Sequence, residues 1–295
     1  MLIRTKGQKI FAVINMLILL ITCLICLSPF VNLLAISFSD AASVKANRVG
    51  FWPLNFTTFA YEFAFSGGKF LTALWISVKR VLLGVSINLA LIVLAAYPLS
   101  RRSDRLLGRN IYMTFFFITM IINGGLIPTY ILVSDLKLMN TMWALVLPGA
   151  LPVFSVVILM NFIRGLPEEL EEAALIDGAN QFGVLVRVML PLLTPSLATV
   201  GLFSIVNHWN SWFDGLIYIR NPADYPLQTY LQTLLRRFED IIRLATGDYA
   251  RIIAMMDVRT GRAAQLFMGA VPVMLIYPFL QKYFTTGLVL GSVKG

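Results

Sequence analysis

Six long apolar runs alternate with short polar segments along the chain. They cover about residues 10–38, 71–99, 111–133, 141–163, 192–219 and 264–284. An α-helix rises about 1.5 Å per residue, so roughly 20 apolar residues cross the hydrocarbon core of a bilayer. Backbone groups in lipid need hydrogen-bond partners within the protein, and the runs lack the strict alternation of barrel strands. The pattern therefore predicts an all-α polytopic membrane protein with six transmembrane helices in one domain, residues 10–295, after an N-terminal segment of residues 1–9.

The first run has an alternative explanation as a cleaved signal peptide. Arg4, Lys6 and Lys9 precede it, as basic residues precede the apolar part of such a peptide. Ala35-Ile36-Ser37 loosely resembles a small-residue cleavage site. However, the run is longer than the roughly 7–15 apolar residues of a signal peptide. A membrane-spanning helix is therefore the favoured prediction.

Basic residues in the short connections predict the orientation. Segment 100–110 holds four basic residues against one acid, whereas connection 134–140 holds Asp135 and Lys137. Basic residues in short loops near span ends favour the cytoplasmic side. The full count of basic residues does not decide the orientation, so the short loops carry the argument. Both termini are predicted to be cytoplasmic, together with segment 167–191, and segment 221–263 is predicted to be external.

Segment 167–191, which we call the acidic loop, separates the fourth run from the fifth. Pro167 suits the first turn of a helix, and four glutamates follow it beside the positive end of the helix dipole. Two alanines continue the helix until Gly178 permits a turn. A second helical run from Gln181 is predicted to end at Leu190-Pro191, because the residue before a proline disfavours the α conformation. The acidic loop is therefore predicted to be a helix-turn-helix docking element.

The acidic loop resembles the cytoplasmic loop of permease subunits from binding-protein-dependent ABC importers. The matching pattern is Glu172-Ala173-Ala174, then Gly178, then Val188-Met189-Leu190-Pro191. The resemblance implies the type I ABC importer permease fold and makes the loop the site where an ATPase couples to transport. The implied coupling residues are Glu171, Glu172, Ala173, Ala174, Asp177, Gly178, Ala179 and Pro191.

Three further segments resemble the maltose-permease-like family of carbohydrate importers, and most closely its complex-oligosaccharide subgroup. They are Asn123 to Tyr130, Tyr225 to Tyr230, and Gln281 to Gly295. The resemblance implies a multi-pass subunit in the cell membrane that forms the path for a sugar or oligosaccharide with a second homologous permease. The other implied partners are two separate ATPase subunits, which carry ATP and Mg, and an extracellular solute-binding lipoprotein.

The chain itself is predicted to be a transporter subunit and not an enzyme. It contains no G-x-x-x-x-G-K-[ST] phosphate loop and no recognisable local nucleophile-base motif. A zinc site needs more ligands than the lone His208 or the pair Cys23 and Cys26 supplies. This chain is therefore predicted to bind no metal or cofactor. Its net charge of +9 comes from dispersed basic residues, which argues against nucleic acid as a partner.

Polar residues in the fifth run are the candidate translocation path. The candidates are Asn207, His208, Trp209, Asn210, Trp212 and Asp214. Polar groups at membrane depth usually face a bundle interior or an aqueous cavity. Aromatic faces can pack on sugar rings while amides and carboxylates bind hydroxyls. The alternative is that the two tryptophans form an interfacial belt and that the polar groups bond between helices.

Two charged segments carry further expectations. Lys79 and Arg80, early in the second run, are predicted to snorkel to the outer interface or to pair with a partner subunit. From Leu227 to Ile242, apolar residues recur every three or four positions opposite charged ones, which predicts an amphipathic external helix. Two alternatives stand for this helix: it packs on the bundle, or it contacts the binding protein or the partner permease.

Two rival functions belong to other classes. An ion-coupled secondary transporter needs coupling carboxylates within its spans, and Asp214 is the only clear candidate. A non-transporting membrane scaffold would share the same pattern of apolar runs.

Overall fold

The computed structural model describes residues 6–65, 68–101, 106–244 and 257–292. Within these ranges the regular structure is helical and no strand occurs, which confirms the all-α prediction. The chain divides into two compact units. One comprises Met1–Gly68 and Leu231–Ala270, and the other comprises Lys69–Tyr230 and Val271–Gly295.

The first unit begins with helix Lys6–Ser37, which contains the first predicted span. The most apolar 18-residue window of this helix is not buried at all within the chain, so its apolar side chains are available to lipid or to another subunit. Helices Ala41–Lys45 and Phe59–Phe65 follow. The segment between them folds back, because the Phe38 ring stacks on Phe56 and on Tyr61 with centroids 5.3 and 4.8 Å apart.

The second unit is built around helix Lys69–Ser100, which contains the second predicted span. The other helices of this unit are Arg109–Ile121, Leu126–Asp135, Met142–Val146, Val153–Arg164, Glu169–Ile176, Gln181–Gly183, Leu190–Leu192, Thr194–Asn210 and Phe213–Tyr218. A π-helical turn covers Val184–Met189, and 3-10 turns cover Leu147–Gly149 and Pro222–Asp224. Helices Leu227–Leu244 and Val258–Ser292 each begin in one unit and end in the other.

The second predicted span packs through a face of mostly small or polar residues. Its buried positions recur at every turn, at Ala73, Ser77, Arg80, Gly84, Asn88, Ile92 and Ala96. This face packs against helices Val153–Arg164 and Thr194–Asn210. Lipid tails are as apolar as leucine, so helices in a membrane associate through close packing and interhelical hydrogen bonds. The contact between the Asn88 amide and the Ser204 hydroxyl, at 2.9 Å, is one such bond.

The first, second and sixth predicted spans lie within continuous helices, and the other three are interrupted. Two helices in the described ranges, Gly7–Ser37 and Lys69–Ser100, are long and apolar enough to cross a membrane, and the number rises to five if each of three bent helix pairs is one span. The sixth predicted span lies within the 35-residue helix Val258–Ser292. The third, fourth and fifth predicted spans are interrupted.

The third predicted span, residues 111–133, is broken between Ile121 and Leu126, and its two helices meet at 112°. The break falls on Asn123-Gly124-Gly125. Gly125 has φ 85° and ψ 178°, a conformation essentially reserved for glycine, and its N–H is bound by the Asn123 side chain at 2.9 Å. Local turn chemistry therefore overrides the apolar average of this run.

The fourth and fifth predicted spans are interrupted at polar or proline-containing positions. In the fourth, helices Met142–Gly149 and Val153–Arg164 meet at 52°, and Pro152 is extended with φ −72° and ψ 103°. The fifth, residues 192–219, ends its main helix at Asn210, and a separate helix runs over Phe213–Tyr218. A proline cannot continue the hydrogen-bond ladder of a preceding helix, which accounts for the first of these breaks.

The prediction that the second helical run of the acidic loop ends at Leu190-Pro191 is wrong. Leu190 is α-helical, with φ −56° and ψ −43°, and the helical run continues to Leu192. Pro191 is the second residue of the short helix Leu190–Leu192, which directly follows the π turn. The π turn just before it has already shifted the hydrogen-bond register. The chain then bends by 81° at Leu193.

The amphipathic segment forms helix Leu227–Leu244, as its pattern predicts. Its first apolar positions, Leu227 and Leu231, are fully buried. The Leu227 N–H donates to the Ser77 hydroxyl at 2.7 Å, which attaches the start of the helix to the second predicted span. This contact holds the first turn of the helix within the second unit, and the two alternatives for the rest of the helix stay predictions. The remainder of the predicted external segment includes residues 245–256, which lie outside the described residues.

Gly84 and Gly201 offer a direct test of the packing. A Cβ at Gly84 would lie 2.4 Å from Nε2 of the buried His208, whereas one at Gly201 would meet Leu89 at 3.8 Å, an ordinary contact. We expect Gly84→Ala to destabilise the protein by about 1–3 kcal/mol through overpacking. Gly201→Ala is the control and should leave stability unchanged or raised. Thermal unfolding in detergent measures both, and equal melting temperatures would contradict the observed packing at Gly84.

Candidate functional site

The acidic loop forms the predicted helix, turn and second helical run. Its first helix is Glu169–Ile176, two residues after the predicted start at Pro167. Gly178 follows this helix with φ +85°. Its N–H donates to the Leu175 carbonyl and the next N–H, of Ala179, donates to the Ala174 carbonyl, both at 3.0 Å. These two bonds form a Schellman motif, which satisfies carbonyls left open at the helix end.

The second part of the acidic loop starts with a side-chain cap. The Asn180 side-chain oxygen accepts from the Gly183 N–H at 2.7 Å, which begins helix Gln181–Gly183. Val184, Leu185 and Met189 in the following π turn are buried. They join the core cluster that contains Ile92 and Leu159. The loop is thus a folded unit seated on the bundle and not a flexible connection.

The residues implied as coupling residues face two directions. Glu172, Ala173, Asp177, Gly178 and Pro191 are exposed, and Ala174 and Ala179 are half-buried. Glu171 instead points inward with 4% of its surface exposed. Two apolar side chains that the sequence analysis missed, Ile176 and Phe182, are 85% and 67% exposed on the same loop. Two apolar residues on either side of a polar turn are visible in the sequence, and this pattern could have indicated a contact with another protein.

Glu171 anchors the loop to the second predicted span. Its carboxylate forms an ion pair with Arg101, whose guanidinium lies 4.2 Å from the centre of the Tyr97 ring. The Tyr97 hydroxyl lies 3.4 Å from Glu171 Oε1 and 3.1 Å from Gln181 Oε1. One cluster therefore holds both halves of the acidic loop. The sequence analysis missed the anchoring contacts of Tyr97, Arg101 and Gln181, because the partners are distant in sequence.

Two further arginines complete the end of that span. Arg109 Nε donates to the Leu99 carbonyl at 2.9 Å. Arg164 donates to the Leu99 and Ser100 carbonyls at 3.3 Å. Carbonyls at a helix C-terminus lack partners within the helix and carry partial negative charge, so basic side chains stabilise them. Four basic residues of segment 100–110 entered the orientation argument, and two of them lie in residues 102–105, outside the described residues.

The candidate translocation residues divide into two groups. Asn207 and Asn210 are exposed, Trp212 is half-buried, and all three line a cleft of about 680 Å³. The other lining residues are Leu202, Phe203, Val206, Ser211, Phe213 and Val273. The described lining is therefore uncharged and combines amides with aromatic rings, which suits hydroxyl groups and sugar rings.

The other three candidates, His208, Trp209 and Asp214, are not among the residues that line the cleft. His208 and Trp209 are 3% and 4% exposed, and neither ring nitrogen of His208 has a hydrogen-bond partner among the described residues. Asp214 pairs with Arg80. Asp214 thus bonds between helices, as the alternative predicts for polar groups, whereas His208 and Trp209 are buried within the chain. The translocation path stays a prediction.

Arg80 neither snorkels nor waits for a partner subunit, so the prediction made for Lys79 and Arg80 is wrong for Arg80. The adjacent Lys79 is exposed. Arg80 is 2% exposed, and its guanidinium binds both oxygens of Asp214. The same group donates to the Ser211 carbonyl at 3.2 Å and to the Leu145 carbonyl at 3.3 Å. The planar guanidinium presents several donors at once, so one carboxylate and two backbone carbonyls of the same chain can satisfy it without the membrane interface. Opposite charges within two apolar runs were the available signal.

The sequence and the fold both match known proteins. A family model described as "binding-protein-dependent transport system inner membrane component" matches residues 88–289, which include the acidic loop and all the residues named as lining the cleft. The chain belongs to this family. The permease is therefore a membrane-embedded transporter subunit of an ABC importer and not itself an enzyme, as the resemblance implied.

Relatives of the permease match it over nearly their whole length. Protein LplC of Bacillus subtilis strain 168 is 36% identical, covering 99% of this chain and 97% of that protein. The polygalacturonan/rhamnogalacturonan transport system permease protein YtcP of the same strain is 37% identical, covering 94% and 96%. The arabinooligosaccharides transport system permease protein AraQ of Halalkalibacterium halodurans is 30% identical, covering 90% and 91%.

A solved structure matches the fold of the permease. It belongs to a bacterial ABC transporter involved in the import of the acidic polysaccharide alginate. The TM-score is 0.79 and the identity 29%, with 96% of this chain and 100% of that chain covered. The predicted ABC importer permease fold is confirmed. The importer family also supports the main functional prediction over a secondary transporter or a scaffold.

Proposed function

We propose that this permease forms, with a second homologous permease, the transmembrane path for a sugar or oligosaccharide. Two separate ATPase subunits, which hold ATP and Mg, drive it by docking on the acidic loop, and an extracellular solute-binding lipoprotein delivers the sugar. In this arrangement residues 10–295 are the permease domain, and both termini and the acidic loop are cytoplasmic. The names of the relatives and the amide and aromatic lining of the cleft support a saccharide as the substrate.

The shape of the acidic loop carries this proposal. Its outward side presents the Glu172 carboxylate, the small Ala173 and the exposed side chains of Ile176 and Phe182. Small residues allow close approach, apolar side chains fill a cleft, and a carboxylate accepts charge-assisted hydrogen bonds from basic groups. Its inward side is fixed to the bundle through Glu171. A rigid protrusion with these properties suits a cleft in a separate subunit.

Co-purification with Glu172→Lys tests the docking. The tagged permease is purified in mild detergent from its native membranes, and mass spectrometry identifies the proteins that accompany it. We expect a homologous permease and an ATPase with the native chain, and at least about a tenfold loss of the ATPase with Glu172→Lys, since the change replaces an acceptor with a repelling charge. Asp135→Lys, the same charge reversal at an exposed site outside the loop, is the control.

The outcomes separate the proposals. Retention of the ATPase by Glu172→Lys at the control level would refute docking through this face of the loop. Recovery of the native chain without an ATPase, together with solute movement that needs no ATP, would favour an ion-coupled transporter. Proteoliposomes that contain the complete complex, the binding protein and ATP then measure saccharide uptake directly.

A further inference from the structure

Helix Lys69–Ser100 contacts the acidic loop at one end and the wall of the cleft at the other. Near its C-terminal end, Tyr97 and the adjoining Arg101 hold the acidic loop through Glu171. Near its N-terminal end, Arg80 holds Ser211 and Asp214. Tyr97 and Arg80 are separated by about 26 Å along an α-helix. The two contacts therefore join sites far apart in the bundle through one element.

Arg80 fixes the part of the chain that presents the cleft residues. Ser211 and Trp212 lie at the break between helices Thr194–Asn210 and Phe213–Tyr218. The Ser211 carbonyl accepts from Arg80, and the Trp212 carbonyl accepts from the Thr229 hydroxyl at 2.7 Å. Both carbonyls of the break are thus held, so the orientation of the cleft-lining Trp212 depends on these bonds.

The helix between the two contacts is held along its length. Its buried face packs at every turn, through residues such as Gly84, Asn88 and Ile92. A displacement at the Tyr97 end therefore moves the helix as one body, because close-packed interfaces shift between discrete arrangements and do not deform continuously.

The covalent route from the loop to the cleft is less direct. It passes through the π turn Val184–Met189 and the 81° bend at Leu193 before it reaches helix Thr194–Asn210. Irregular turns and sharp bends of this kind are typical positions for hinges. The contact route through the second predicted span has no such break between Tyr97 and Arg80.

We propose that helix Lys69–Ser100 transmits movement of the acidic loop to the cleft, with Arg80 as the positioning residue at the cleft end. This rests on the proposed docking of an ATPase on the loop. The bidentate contact with Asp214 and the bonds to two backbone carbonyls make Arg80 a link between the helix and the break at Ser211. When the loop moves, Arg80 moves the cleft wall with the helix.

A cysteine reporter at the cleft tests the proposal in the complete complex. Cys23 and Cys26, which are free and exposed, are first replaced by serine, and Asn210→Cys places a single thiol beside the break. The labelling rate with a maleimide is measured without nucleotide and with ATP and vanadate. Arg80→Gln is compared with Lys79→Gln, a control that removes the same charge from the adjacent exposed position. Uptake is measured in chains without the reporter.

The expected result is a selective loss of communication. Nucleotide should change the labelling rate in the reporter background and in Lys79→Gln, and Arg80→Gln should reduce that change about fivefold or more while the ATPase still co-purifies. Arg80→Lys should restore only part of it, because an ammonium group pairs with Asp214 but cannot keep the guanidinium fork on the two carbonyls.

Three outcomes decide the matter. A full nucleotide-dependent change in Arg80→Gln would overturn the proposal. If Arg80→Gln does not assemble, Arg80→Lys decides, and full restoration by lysine would reduce Arg80 to a structural charge. If the reporter background itself shows no response to nucleotide or holds no ATPase, the docking proposal fails first, and that failure is distinct from the failure of Arg80 to transmit.

Discussion

Gly178→Val is expected to impair uptake severely while the permease stays in the membrane. Gly178 has φ +85°, and a Cβ there would meet no atom within 4 Å, so the cost of a side chain lies in the backbone alone. A left-handed conformation costs an ordinary residue about 1–2 kcal/mol, and a β-branched residue more. The Schellman turn would open, and the exposed residues on either side of it would lose their common surface. We expect at least about a tenfold loss of uptake, measured with labelled saccharide in vesicles.

A graded series separates the backbone from other causes. Asparagine tolerates the left-handed conformation, so Gly178→Asn should transport best, Gly178→Ala less well and Gly178→Val least. Gly178→Asp has nearly the same shape as Gly178→Asn but adds a negative charge. A loss with aspartate that is absent with asparagine would assign the effect to the surface of the partner. Equal uptake by the valine and asparagine variants would show that the turn is not needed.

Asp214→Leu is expected to cause the largest loss of stability in the second unit. The change leaves the Arg80 guanidinium buried without its carboxylate, and removal of one member of a buried ion pair costs about 3–5 kcal/mol. Because 22% of the Asp214 side chain is exposed, the lower part of this range applies. Thermal unfolding in detergent measures the loss. Asp135→Leu, at an exposed carboxylate, is the control.

The double variant Arg80→Met/Asp214→Leu distinguishes stability from transport. Replacing both charges by apolar groups of similar size is often neutral for stability. We therefore expect the double variant to be more stable than Asp214→Leu alone, although the Ser211 and Leu145 carbonyls still lose their donor. It should nevertheless transport poorly, because Arg80 no longer holds the break at Ser211. Normal uptake by a stable double variant would mean that the ion pair matters for folding alone.

Local signals account for the parts of the fold that were predictable from sequence. The turn at Gly178 follows from a glycine after an alanine-rich helix, and the long apolar runs at 10–38 and 71–99 are continuous helices. The break at Asn123-Gly124-Gly125 was missed because the apolar average over 111–133 hides three residues that favour a turn. At Pro191 the error was a predicted helix end that does not occur. The π turn upstream shifts the hydrogen-bond register, so the helical run continues through the proline.

Tertiary partners decide the rest of the site, and no local pattern contains them. Glu171 is one of four glutamates in the loop, and the ion pair with Arg101 determines that it points inward. Tertiary packing also separates the polar residues of the fifth run. Asn207 and Asn210 lie on the exposed face of their helix, and His208 lies on the buried face. Spacing along the sequence placed these residues near one another but did not determine which of them face the cleft.

The distance between Arg80 and its carboxylate along the chain sets an order of events during biosynthesis. Asp214 follows Arg80 by 134 residues, so at usual rates of translation it is made on the order of ten seconds later. During that interval Asp214 cannot pair with the guanidinium, and an arginine within a membrane span is costly without a partner. We therefore expect the contact between Arg80 and the fifth segment to form late, after most of the polypeptide has been synthesised.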